Sequence, residues 1–287
     1  MPVILQLTDL HVMPKGELAF GRCDTAGLLT SIQPWLAAAS QKVDAVVVTG
    51  DIGCDGNEDA YRIVRDVFSG LAAPVRMVPG NHDRRAGMAK VLGDFLGSPE
   101  ERFDSATERF DQCFEAAGAR VILLDTLQPG KHWGGLTPAV LDALSEKLDE
   151  ARSKKEPALV CMHHTPLHCG MGVMDEDFAG RSRLFSILAQ HPEVRLATGH
   201  MHRAIVQAVG PTVVATAPSV ACPIMIDLRP EGGDEYRFET PGFAIHNWKS
   251  EPEGIAAGWT TFFGLIPVQT SFAGPYRFKN VVNPADD

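Results

Sequence analysis

The sequence predicts an α/β fold with a β-rich C-terminal portion, and three observations predict it. Up to residue 202, short apolar runs alternate with stretches of helical period. From Ala204 onward the helical period gives way to short strand-like runs broken by glycine and proline. Five of the apolar runs end in turns carrying carboxylate, amide or imidazole groups. In an open α/β sheet the carboxyl ends of the strands share one edge, where ligands bind.

The elements follow in order. Residues 3–8 read as a buried strand, with Asp9-Leu10-His11 at its end. Residues 25–40 have helical spacing in Leu28, Leu29, Ile32 and Leu36, with Pro34 expected to start or kink the helix. The β-branched run 45–49 ends at Gly50-Asp51, and Asn57 or Glu58 then opens a helix through Phe68 with Tyr61, Val64 and Phe68 on one face. The run 74–79 ends at Gly80-Asn81-His82-Asp83. A mixed helical stretch is expected over roughly residues 88–117, then a strand over 120–125. The glycine-containing loop 126–136 carries His132 and Trp133, and Thr137-Pro138 caps a helix with Leu141, Leu144 and Leu148 on one side. A strand over 158–162 ends at His163-His164, residues 182–190 are helical, and the run 194–197 leads to Gly199-His200-Met201-His202.

Beyond that turn, strands are expected at 204–209, 212–217, 223–227 and 236–239. Residues 236–278 hold ten of the 21 aromatic residues, a density suited to covering either the chain's own core or a neighbouring subunit. The expected division is therefore a catalytic domain over 1–235 and an aromatic-rich extension over 236–287, a cap or dimerisation segment.

Composition bounds the function. A formal charge of −10 argues against a nucleic acid polymer or an anionic membrane surface as partner. No run approaches the ~20 apolar residues of a membrane span. The N-terminus enters a strand at Val3 without the basic and apolar regions of a secretory signal, so the expected location is cytoplasmic. Cys23, Cys54, Cys113, Cys161, Cys169 and Cys222 are scattered, include no C-x-x-C pair, and are expected to be free thiols.

As candidate ligands the five turns offer two carboxylates, one amide and four or five imidazoles. Oxygen and nitrogen donors without thiolate suit Mn²⁺, iron or Zn²⁺, and a carboxylate can bridge two such ions. Glycine before Asp51, Asn81 and His200 is expected to let the backbone turn sharply there. Taken singly, any of these histidines is more often a capped surface or core residue than a ligand, and Gly-Asp after a strand is usually only a turn. The inference rests on all five turns together.

In that order, D-x-H, G-D, G-N-H-D, H and G-H-x-H, the chain resembles the calcineurin-like binuclear metallophosphoesterases. The leading Asp9-Leu10-His11 and the segment Met162-His163-His164-Thr165-Pro166-Leu167 are most similar to its class III cyclic-nucleotide phosphodiesterases and glycerophosphodiesterases. The resemblance covers the motifs and, more loosely, the chain to about residue 225. It implies a four-layer α/β/β/α sandwich, two mixed sheets flanked by helices, with a C-terminal extension used for homodimer or higher contacts. It also implies two divalent or trivalent ions, iron, manganese or zinc. One would be held by Asp9, His11, Asp51 and His202, the other by Asp51, Asn81, His163 and His200. The expected reaction is in-line attack of a metal-bound hydroxide on a small phosphodiester, a cyclic nucleotide or a glycerophosphodiester. Asn81 and the non-ligating His82 would stabilise charge, and His82 could protonate the leaving group.

Other residues carry weaker expectations. His168, Met171, Met174 and Phe178 could form a substrate lid or a surface loop; Arg84 and Arg85 could attract phosphate but read better as a solvated pair. His132 and Trp133 could line the pocket or pack, Asp83 is expected behind the ligands, and His164 is either a supporting or a structural residue. His191 and His246 are background. Phe20 stands where related glycerophosphodiesterases tend to carry a tyrosine, which bears on substrate preference. The alternatives to a diesterase are a phosphomonoesterase of broad specificity and a non-catalytic scaffold on the same fold.

Overall fold

The computed structural model describes residues 1–104, 107–232, 235–249 and 257–268. Chain order runs through β1 (Val3–Leu7), α1 (Thr25–Ser40), β2 (Ala45–Thr49), α2 (Glu58–Phe68), β3 (Val75–Val78), α3 (Arg85–Leu92), β4 (Gln112–Ala116) and β5 (Ala119–Leu124). It continues with β6 (Gly134–Gly135), α4 (Pro138–Lys154), β7 (Ala158–Met162), β8 (Phe178–Ala179), α5 (Arg181–Leu188), β9 (Arg195–Thr198), β10 (Ile205–Val209), β11 (Thr212–Thr216), β12 (Gly242–Lys249) and β13 (Gly258–Leu265).

Two mixed sheets result, ordered β13-β12-β1-β2-β3 and β10-β11-β9-β7-β5-β4. In the first, β1, β2 and β3 are parallel and β12 runs antiparallel to β1; in the second, β5, β7, β9 and β11 are parallel, with β4 and β10 antiparallel at the edges. Alternation of side chains along the strands explains the layering. Leu5, Leu7, Val46, Val48 and Met77 pack with Ile32 and Leu36 of α1, Tyr61 and Val64 of α2, and Met88 of α3. Their strand neighbours Ile4, Ala45, Val47 and Val78 face the other way, against Val121, Leu123, Leu159, Cys161 and Ala197 of the second sheet. Ile122, Leu124, Val160, Met162 and Leu196 then meet Leu141, Leu144 and Leu148 of α4 and Leu184 and Leu188 of α5. The order is α/β/β/α, as the resemblance implied.

α1 spans Thr25–Ser40 as its spacing predicts, capped by the Asp24 carboxylate and with Pro34 inside it. Two sequence expectations are corrected. The stretch 88–117 is not helical throughout: α3 stops at Leu92, and Gln112–Ala116 is a strand because Phe114 and Ala116 are needed between the sheets. Residues 223–227 and 236–239 form no regular strands but meet in one bridge, Ile224 to Tyr236. The aromatic-rich segment contributes β12 and β13 to the first sheet, and Trp259 is buried between the sheets with its indole N–H donating to the Ala158 carbonyl at 2.9 Å. The remainder of that segment, residues 250–256 and 269–287, lies outside the described residues. All six cysteines are free, and among the described residues no helix is long and apolar enough to cross a membrane.

Candidate metal centre

The turns after β1, β2, β3, β7 and β9 meet at one edge of both sheets. Their backbones are unusual. Asp9, His11, Asp51, His200 and His202 have φ of 53°, 44°, 48°, 70° and 55°, a left-handed region that costs a non-glycine residue about 1–2 kcal/mol. Hydrogen bonds hold them there: His11 N–H donates to the Asp51 carbonyl at 2.8 Å, Asp9 N–H to the Gly50 carbonyl at 3.1 Å, and His200 N–H to the Asp9 carboxylate at 3.1 Å. So many strained residues in one place mark a site that the surrounding fold enforces. Of the flanking glycines, Gly50 is needed for its φ of 87°. Gly80 is needed for close approach, since a Cβ there would lie 2.2 Å from Asp51 Oδ1.

The donors converge in a chain of short distances. Asp9 Oδ1 lies 3.3 Å from His202 Nε2, which lies 3.0 Å from His11 Nε2. Asp51 Oδ2 is 3.6 Å from His11 Nε2 and 3.4 Å from His163 Nε2, and His163 Nε2 is 3.1 Å from Asn81 Oδ1. Donor atoms of Asp9, His11, Asp51 and His202 all lie within 4.8 Å of one another. The histidine tautomers are fixed from behind: Nδ1 of His163 donates to the Thr49 carbonyl at 2.8 Å and Nδ1 of His202 to the Cys222 carbonyl at 2.5 Å. A carbonyl only accepts, so Nδ1 carries a proton in each ring and Nε2 is the nitrogen turned toward the centre.

This arrangement fits cations. Two carboxylates are buried side by side, and Asp9 Oδ1 has no hydrogen-bond partner. Burial works against the charge on Asp9, but His202 beside it outweighs burial and holds the pKa down at about 2. Burial likewise opposes the charge on Asp51, and His163 overrides it, keeping that carboxyl well below its ordinary range. Burial drives the His11 pKa down to about 3, against the pull of Asp51, so this ring is neutral. Against burial, Asp51 and Asp9 raise the pKa values of His163 and His202, and a metal ion would take the place of the second proton on those rings, since anionic oxygens and neutral imidazoles are the forms that bind one.

A family model described as calcineurin-like phosphoesterase matches residues 2–204. The chain belongs to that family. Among curated relatives, it is 30% identical over 281 residues to the Arcobacter nitrofigilis protein named a probable glycerophosphodiester phosphodiesterase, covering 97% of both chains. It is 31% identical over 219 residues to the 3′,5′-cyclic adenosine monophosphate phosphodiesterase of Pseudomonas aeruginosa, covering 76% of this chain and 75% of that one. Among solved structures, the anchor protein of the Plasmodium inner membrane complex shares the fold with a TM-score of 0.51 at 15% identity, over 92% of this chain and 84% of that one.

In this calcineurin-like phosphoesterase the expected ligands lie together with His82, whose Nδ1 donates to the Cys54 carbonyl at 2.7 Å and whose ring meets that of His11 edge-on at 4.8 Å. Asp83 lies behind the ligands: its carboxylate accepts the N–H groups of Ile52, Gly53 and Gly80 and the Tyr61 hydroxyl, at 2.9–3.1 Å. Burial and the Asp51 charge push its pKa up to about 6, against the pull of those N–H donors. His164 has both ring nitrogens engaged, by the Thr126 hydroxyl at 2.7 Å and the His132 carbonyl at 3.1 Å, and its donor atoms lie within 4.8 Å of those of His163 and His200. Arg85 forks onto Asp125 with two contacts of 2.7 Å, and Arg84 caps the Asp83 carbonyl. His191 lies near Asp149 and Glu193, and His246 bonds Gln6 and Thr261 inside the first sheet.

A cavity of about 230 Å³ opens over the donors. His132, Met174 and Phe20 line it, whereas Met171 packs on Met201 and Ile224, and Phe178 belongs to the core under α4. The Phe20 ring sits 5.1 Å from that of His11 and 5.5 Å from that of Tyr236, whose hydroxyl donates to the Phe20 carbonyl at 3.1 Å. Sequence reasoning missed Cys222, Ile224, Glu235, Tyr236 and Glu176. The first four lie on the irregular segment after β11, and Glu176 lies on the loop before β8, where no spacing signals a side chain aimed at the site.

Proposed function

We propose that this protein hydrolyses P–O ester bonds in small phosphodiesters, either cyclic nucleotides or glycerophosphodiesters, using two metal ions. One observation carries the reading: Asp51 Oδ2 lies between two imidazole nitrogens that belong to different ligand sets, 3.6 Å from His11 and 3.4 Å from His163. A carboxylate so placed suits a bridge. Asp9, His11, Asp51 and His202 would hold one ion, and Asp51, Asn81, His163 and His200 the other, with iron, manganese and zinc all compatible with the donors. Such a pair, when bound, lowers the pKa of water and neutralises charge on a phosphoryl group.

The chain's own groups do the rest. Asn81 Oδ1 faces the same point as His163 Nε2, 3.1 Å away, which leaves the Asn81 NH₂ for a non-bridging phosphate oxygen. His82, with Nδ1–H tied to Cys54, presents Nε2 to the cavity, where it can hold a proton for the departing alkoxide. Phe20, Met174, Ile224 and Tyr236 give the second ester group an apolar wall, which favours a diester over a monoester. The names of the curated relatives support diesters of both kinds. A panel of cyclic nucleotides, glycerophosphodiesters and phosphomonoesters on metal-reconstituted protein tests the reading. A diester is expected to give the highest kcat/KM, and much faster monoester turnover would overturn that choice.

A further inference from the structure

Glu176 lies outside both ligand sets, yet its carboxylate faces two imidazoles of the site. Oε2 is 3.0 Å from His132 Nδ1 and 3.7 Å from His200 Nε2, and these donor atoms lie within 4.8 Å of one another. We propose that Glu176 is a positioning residue for the metal centre, holding His200 by Nε2 so that its other ring nitrogen is presented to the second ion. The inference rests on the two-ion reading above.

The carboxylate is delivered by a built frame. The Glu176 carbonyl accepts from Arg181 at 3.1 Å and from His168 Nε2 at 3.2 Å, which pins that peptide group. The neighbouring Asp175 carboxylate accepts the N–H groups of Cys169, Gly170 and Met171 at 2.6–3.0 Å and closes the loop on itself. Just beyond, Phe178 and Ala179 pair in parallel with Gly134 and Gly135, which ties this loop to the one carrying His132. Glu176 therefore reaches His200 from a fixed backbone, and the same oxygen steadies His132 at the cavity wall.

The chemistry gives the contact its purpose. Metal-bound imidazoles commonly donate their remote N–H to a carboxylate, which fixes tautomer and ring orientation and makes the ligand more basic. His163 and His202 receive that support from backbone carbonyls, as shown above. His200 has Glu176 in that position. A Nε2 proton directed at Glu176 would leave the lone pair of His200 on Nδ1.

The test measures Mn²⁺ binding to the metal-stripped full chain by calorimetry, for wild type, Glu176→Gln, Glu176→Ala, His200→Ala and the Glu176→Gln/His200→Ala double variant. Wild type is expected to bind two ions. Each Glu176 variant is expected to keep one site at wild-type affinity and to weaken the other by about 10- to 100-fold. The double variant is expected to be no worse than His200→Ala alone, because the carboxylate acts through that ring. Unchanged affinities, equal weakening of both sites, or losses that add in the double variant would each overturn the proposal. A wild-type protein that binds fewer than two ions would overturn the two-ion reading, and this inference with it.

Discussion

At the scale of single residues, His82 is set apart from the imidazoles around it. His11, His163 and His202 each put a ring nitrogen 3.3–3.6 Å from a carboxylate oxygen of Asp9 or Asp51, while His82, tied by its Nδ1 to the Cys54 carbonyl, reaches the shared cavity from the turn after β3. Its substitution should therefore separate chemistry from metal binding. His82→Ala is expected to lower kcat by about 10²–10⁴, the range for a general acid–base group, with two ions per chain retained on elemental analysis. Loss of an ion in that variant would contradict the role. The same contrast shows which residues the sequence could reveal. Asp9, Asp51, Asn81, His163, His200 and His202 are legible because each belongs to a short motif ending an apolar run. Glu176 is not, because its position depends on Asp175, Arg181 and a two-residue strand pair that no local pattern announces.

At the scale of elements, the turn after β9 would set the spacing of the two proposed ions. His200 and His202 lie one residue apart, both at positive φ, with His202 joined to Asp9 and His11 and His200 turned toward Glu176. His202→Ala and His200→Ala should each weaken a different site, read as two distinct single-ion species by metal titration. Loss of both ions from both variants would count against the division. Strands with uniform β-branched character, such as β2, were legible in sequence because both of their faces are buried. β12 was not: its inward positions are Gly242, Ala244 and His246, while the apolar Phe243 and Ile245 face outward toward α1. That inverts the usual alternation and hides a strand that pairs with β1 across more than 200 residues of sequence.

At the scale of the whole molecule, β12 ties the C-terminal segment into the polar seam between the sheets. Gln6 on β1 donates to the Thr49 hydroxyl at 2.8 Å and to the Thr198 carbonyl of the second sheet at 2.9 Å, and its oxygen faces His246 Nε2 at 2.9 Å. Burial, and to a lesser degree the charge of Arg195, lowers the His246 pKa from 6.5 to about 3. The unfolded chain then binds the proton more readily than the folded one. This histidine's contribution to stability is full above pH 6.5 and is lost as pH falls toward 3, with a limiting slope of about 1.4 kcal/mol per pH unit. His246→Gln can keep both hydrogen bonds without titrating. Chemical unfolding at pH 7 and pH 4 should show a smaller loss of stability for this variant than for wild type, and equal losses would refute the assignment.

Two ions acting together on a phosphodiester are the central claim, and a stoichiometric titration addresses it most directly. Metal-stripped protein would receive Mn²⁺ in fractions of an equivalent while hydrolysis of bis(p-nitrophenyl) phosphate is followed. Activity should stay low through the first equivalent and rise to a plateau as the second binds. Full activity with a single ion, or none with two bound, would contradict the account.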